Sequence, residues 1–146
     1  MQATRILPDL QASLLCEDIR QEASGNLILI GVIGYINVPQ VPAMALKLCV
    51  LNRWTAGIGN FTETVKMIAP DGKTVLRENK TKISLPTPNH HFTSGTVFSQ
   101  PKFETAGVYY FEIYVEDMLK IRYPVPVTLV NPPAGAAPAE SGVSQS

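Results

Sequence analysis

The residues best equipped for chemistry in this chain are two cysteines, Cys16 and Cys49, and two histidines, His90 and His91. A cysteine with a histidine and an acid can form a nucleophilic triad, because the imidazole takes the thiol proton. Cysteine and histidine can also hold zinc where their spacing brings the ligands to one point. Neither pattern is complete. Adjacent residues of a strand point to opposite faces, so extended His90 and His91 cannot share one metal. No nucleophile elbow or glycine-rich oxyanion loop accompanies the cysteines. Glu116-Asp117 pairs two carboxylates, but calcium wants more oxygen ligands than these, and acids at a hairpin turn are ordinarily solvated. The residue types point away from an enzyme and call for no cofactor and no metal.

A second group of residues suits binding rather than catalysis. Tyr110 and Tyr114 share one strand face, where aligned rings form a ligand face for a sugar or another small molecule. Ordinary cross-strand packing is the competing use of the same rings. Trp54 follows an apolar strand and suits either a buried anchor or an interface hot spot, and Phe92 is the remaining candidate for an aromatic platform.

Composition narrows the partners. Twelve Lys and Arg balance twelve Asp and Glu, so the formal net charge is zero. Nucleic-acid binding normally rests on a basic surplus, and capture by anionic membranes on a polybasic segment. The chain has neither, so we expect no nucleic acid and no membrane. Neutrality also protects solubility poorly, which favours self-association. The N-terminal stretch lacks the uninterrupted apolar run of a signal peptide, giving a cytoplasmic expectation with free thiols.

These residues must be positioned by strands. Gly, Pro, Asn and Asp clusters recur at Ser24-Gly25-Asn26, Pro39 to Pro42, Gly57 to Asn60, Pro70-Asp71-Gly72, Pro86 to Asn89 and Thr105-Ala106-Gly107. Between them lie short segments rich in Val, Ile, Thr, Tyr and Phe, the pattern of a sandwich or barrel. One helical turn can sit in Glu17 to Ala23. Residues 1–130 form the domain, and residues 131–146, small and proline-rich, form a flexible tail.

The clearest element is the last hairpin. Tyr109, Phe111, Ile113 and Val115 form one apolar face; Leu119, Ile121, Tyr123, Val125 and Val127 form its counterpart. A three-residue turn pairs Val115 with Leu119, Phe111 with Tyr123, and Glu112 with Arg122. Pro124 and Pro126 cannot donate to a ladder, so this last strand lies at a sheet edge or turns those positions away from its neighbour, and one side of it is spoiled for further pairing. Phe61, Val65 and Met67 supply another inner face.

Two other stretches are apolar on both faces. Leu27 to Ile36 places Leu27, Leu29 and Ile33 one way and Ile28, Ile30, Val32 and Ile36 the other. Met44, Leu46, Leu48 and Val50 are an inner face, yet Ala45, Cys49 and Leu51 leave the outer one apolar. A two-layer sandwich normally shows water a polar outer face. Either something covers these strands (a loop, the N-terminal segment or another subunit) or they form a mixed surface, since scattered exposed apolar side chains are common. Ile28, Ile30, Val32, Cys49, Leu51 and Trp54 are the interface candidates.

Several of these segments carry a resemblance. Leu15-Cys16-Glu17-Asp18, Glu22, Gly25-Asn26-Leu27, Ile30-Gly31-Val32, Pro70-Asp71-Gly72 and Phe103-Glu104-Thr105-Ala106-Gly107-Val108-Tyr109-Tyr110-Phe111 together resemble an uncharacterised bacterial family with an immunoglobulin-like domain of unknown function. The resemblance covers about residues 10 to 130 and implies a β-sandwich. It brings no activity, cofactor or site residue. The expectation is thus an all-β, immunoglobulin-like antiparallel sandwich of about 7–9 strands. Its role is that of a non-enzymatic protein-binding or structural module whose partner is a protein, a second copy included. The alternative is a small-molecule or carbohydrate-binding module on the Tyr110/Tyr114 face.

Overall fold

A computed structural model describes residues 5–130, and among them the chain is all-β, with eleven strands and no helix. In chain order these are β1 (Asp9–Gln21), β2 (Leu27–Val32), β3 (Ile36–Val38), β4 (Ala43–Met44), β5 (Lys47–Thr55), β6 (Gly59–Ile68), β7 (Val75–Leu85), β8 (His91–Ser99), β9 (Lys102–Phe103), β10 (Gly107–Val115) and β11 (Met118–Leu129). Strands β2-β1-β5-β8 form one sheet, β3-β11-β10-β6-β7 a second, and β4 with β9 a short ribbon. The residues assigned to a tail lie outside the described residues.

The two larger sheets share one apolar core. Leu15, Leu48, Val50, Trp54 and Phe98 come from the first, and Phe61, Val65, Met67, Ile83, Phe111, Ile113 and Val125 from the second. Each set sits at every second position, because a pleated strand turns alternate side chains inward. Phe111 is nearly fully buried, stacked on Tyr123 at 6.0 Å between ring centroids and 6.2 Å from Phe98. The Tyr109 hydroxyl donates to the Thr105 carbonyl at 2.7 Å, tying the start of β10 to the corner that precedes it.

Several expectations are corrected. The strands number eleven rather than about 7–9, because Leu27 to Ile36 is two strands in different sheets and β4 with β9 adds a short ribbon. The break falls at Ile33 to Tyr35, around Gly34; within β2, Gly31 takes the left-handed conformation at φ 67°, which favours glycine. Beyond it, β3 runs parallel to β11, so the assembly is not purely antiparallel. Glu17 to Gln21 is strand, not a helical turn, since its backbone pairs with β2. Met44 and Leu46 are exposed rather than inward, because β5 starts at Lys47 and its inner face at Leu48. Leu119 and Ile121, near the hairpin tip, are likewise partly open to solvent.

The β10–β11 register is as expected along most of its length, including Phe111 with Tyr123 and Glu112 with Arg122. At the tip, however, Val115 faces Met118, so the turn has two residues and a bulge at Ile113/Tyr114 absorbs the difference. Glu116 takes the left-handed conformation at φ 53°, normally left to Gly or Asn in such turns. Tertiary contacts hold it there. Its backbone N–H donates to the Thr62 carbonyl at 2.8 Å, and its carboxylate accepts from the Thr62 N–H and pairs with Arg5. The same partners hold its carboxyl below the usual range, Arg5 foremost. Pro124 and Pro126 stand opposite Tyr110 and Val108 of β10, and β11 is not an edge strand, because β3 joins its other side beyond the prolines, from Val127.

Candidate interaction surface

Cys16 and Cys49 are direct partners across β1 and β5. Both are buried free thiols, and burial is the main reason each thiol's pKa is raised. A protonated, enclosed thiol is a poor nucleophile and a poor metal ligand. The histidines are elsewhere. His91 opens β8 opposite Thr55, whereas Cys49 lies opposite Val97, six residues along the strand and about 20 Å away at strand rise. His90 is exposed in the preceding turn, its ring Nδ1 2.7 Å from the Thr87 hydroxyl. Among the described residues no three His, Cys, Asp or Glu side chains converge on a metal position.

The aromatic rings are also placed. Arg122 lies 4.1 Å over the Tyr110 ring and Lys66 4.5 Å over Tyr114. The Tyr114 hydroxyl donates to Glu112 at 2.8 Å, and this bond is the largest cause of its raised pKa. Each ring face that would receive a sugar thus already carries a cation of the same chain. Phe92 is half-buried against the core. Trp54 is fully buried, and its indole N–H donates to Glu63 at 2.6 Å.

Glu63 is the residue that sequence reasoning missed. It is fully buried on β6 and accepts from Trp54 and from the Ser94 hydroxyl at 2.6 Å, linking the two sheets across the core. The signal was there to be read: Phe61, Glu63, Val65 and Met67 alternate, so an acid occupies an inward position. Asn52, opposite Ser94, is buried too, and its side-chain amide has no hydrogen-bond partner among the described residues. This enclosed polar cluster offers a substrate no approach, because its members are shut between the sheets.

The outer face of the first sheet carries the more open question. Beyond Cys16, β1 turns across its own sheet, and the β1–β2 hairpin lies as an arm over β5 and β8. A Cβ at Gly95 of β8 would stand 3.2 Å from Ile19 Cδ1 of the arm. Cys49 Sγ lies 3.7 Å from the Glu17 carbonyl, and Leu27 and Leu29 line a groove with Leu51, Arg53 and Thr93. The arm is the cover that the apolar outer face demanded. It buries Cys49 and Leu51, so these two, with Trp54 in the core, are unavailable to a partner.

The arm's own outer side is different. Ile28, Ile30 and Val32 are 43%, 42% and 58% exposed. Beside them Asp18 bonds both Lys47 and Arg20 at 2.7 Å, and these two cations, Lys47 first, hold its carboxyl well below the usual range. A groove of about 630 Å³ runs past this cluster, with Ile33 and Leu48 in its wall and Tyr35 and Leu46 at its rim. The arrangement suits contact with another surface: apolar side chains set beside a compact, internally balanced charge cluster.

None of the curated proteins matches this chain. The sequence profile of a family of unknown function, DUF6941, matches residues 11–128, a span holding both large sheets and the arm. The chain therefore belongs to the DUF6941 family of unknown function.

Proposed function

We propose that this chain is a non-enzymatic protein-binding module on an immunoglobulin-like β-sandwich, acting in the cytoplasm. The observation that carries the reading is the exposure of Ile28, Ile30 and Val32 in one short strand of the arm. Contiguous exposed apolar side chains beside polar residues are the usual mark of a contact surface. The Tyr109 hydroxyl bonded to the Thr105 carbonyl supports the immunoglobulin-like assignment, since a tyrosine at the start of a late strand that bonds back to its corner recurs in that fold. Two free thiols fit a reducing compartment. No helix among the described residues is long and apolar enough to cross a membrane.

The test is light scattering on the full chain, alone and mixed with extract of the source cells. A control carries Ile28→Asp with Val32→Asp. The reading expects a complex that the double variant loses. Identical behaviour of the two proteins, with neither forming a complex, would sink it.

A further inference from the structure

We infer that the open edge of β2 is a self-pairing seam: two copies of this chain join their β2 strands antiparallel about a two-fold axis, extending each four-stranded sheet into one of eight. The inference rests on the protein-binding reading above and names its surface and its partner. The argument starts from how the other sheet edges are closed. An edge strand presents unpaired N–H and C=O groups, and proteins blunt it with charge, proline, brevity or a cover. The β7 edge carries Arg77, Glu78, Lys80 and Lys82. At the β8 edge, side chains of β7 lie alongside: Arg77 donates to the Ser99 carbonyl at 3.0 Å and the Asn79 amide to the Thr96 hydroxyl. Pro124 and Pro126 interrupt β11, and β3 is three residues long.

Strand β2 uses none of these devices. Its sequence is Leu-Ile-Leu-Ile-Gly-Val, with no charge and no proline. It pairs with β1 on one side, and no hydrogen bond among the described residues reaches its other side. Its outward row of Ile28, Ile30 and Val32 is exposed along the whole strand.

A second copy fits this edge better than an unrelated peptide. A two-fold contact sets a patch against itself, so it tolerates no uncompensated charge on the paired strand. Pairing about Leu29 sets Ile28 opposite Ile30 of the other copy, apolar on apolar, on the exposed face. The next strand inward completes the match. Arg20 neighbours Ile28 and Asp18 neighbours Ile30, and these two charges already pair with each other in each copy, so the strand behind the seam opposes no uncompensated charge to its symmetry mate. A net charge of zero leaves no general repulsion between copies.

The test joins light scattering of the full 146-residue chain across concentration with amide hydrogen exchange at residues 27–32. The expected result is a dimer in which β2 amides exchange about tenfold slower or more above the dissociation constant than below it. Ile30→Lys, a substitution at an exposed position, then gives a monomer with an unchanged circular dichroism spectrum. A chain that stays monomeric at every concentration overturns the seam, while a complex with another protein still sustains the reading of the previous subsection. A dimer that survives Ile30→Lys with unprotected β2 amides overturns the seam and places self-association elsewhere.

Discussion

The two sheets turn opposite kinds of outer face away from the core. On the second sheet a register row runs Arg122, Glu112, Lys66, Glu78 across β11, β10, β6 and β7, alternating in sign and open to water at its ends. Cations stack on Tyr110 and Tyr114 along the same face. On the first sheet the rows run Cys16, Cys49, Val97 and Leu14, Leu51, Gly95; the arm lies on Cys49, Leu51 and Gly95, while Leu14 and Val97 at the margins stay exposed. A polar outer face is stable in water as it stands. An apolar one needs a third layer, and this chain supplies that layer by folding β1 and β2 back across its own sheet.

The largest effect that would break this comparison comes from charging the covered face. Leu51→Asp places an unpaired carboxylate beneath the arm and should cost about 3–5 kcal/mol in chemical denaturation. A near-neutral result would mean that the arm leaves water at Leu51. A smaller effect follows from crowding the contact instead of charging it. Gly95→Val forces side-chain atoms into the space that Ile19 occupies and should cost about 1–3 kcal/mol, with faster proteolysis at Gln21 to Asn26. Unchanged proteolysis would remove the Ile19 contact from the account. On the open face, Lys66→Ala loses one stacking contact, on Tyr114, and two cross-strand neighbours, Glu112 and Glu78. Its cost should stay within about 0.5 kcal/mol by the same denaturation assay, and a larger loss would show that the polar face is itself a tightly coupled element.

The smallest effect is one of pH. The Asp71 carboxylate accepts from the Thr74 hydroxyl and from the Thr74 and Lys73 N–H groups, and these bonds, Thr74 first, lower its pKa to about 2. A depressed folded-state pKa stabilises the protein above the unfolded carboxyl value and loses that contribution as pH falls through the folded one. Melting temperature should therefore drop between about pH 4 and pH 2, and Asp71→Asn should flatten that part of the decline. A variant whose profile overlays the wild type would show the turn to be indifferent to its charge.

How far the sequence discloses this fold depends on which force sets each feature. The β10–β11 register was legible because alternation and opposite charges at Glu112 and Arg122 agree. Its tip was not, because Thr62 and Arg5, far away in the chain, hold Glu116 in a conformation that local turn rules assign to glycine. The apolar outer face of β5 was legible, but whether a cover or a mixed surface answered it was not. Nor was the identity of the cover, because alternation reveals which side chains share a face and nothing about what packs on it. The split of Leu27 to Ile36 falls at Ile33 to Tyr35, where the chain leaves β1 for β11, and alternation within one stretch does not reveal that its two ends pair in different sheets. Among the site candidates, Ile28, Ile30 and Val32 lie at the surface while Cys49, Leu51 and Trp54 do not, since period two cannot tell a covered face from an open one.

Cys49 and Cys16 lie where the arm leaves its sheet, and both thiols are free. An arm held to its sheet by the Ile19, Leu27 and Leu29 contacts and the Asp18–Lys47 ion pair opens at lower free energy than the whole domain unfolds. The protein therefore carries its own gauge of that opening: the rate at which a small alkylating reagent labels these thiols counts how often the arm lifts, against a background in which the rest of the molecule stays folded.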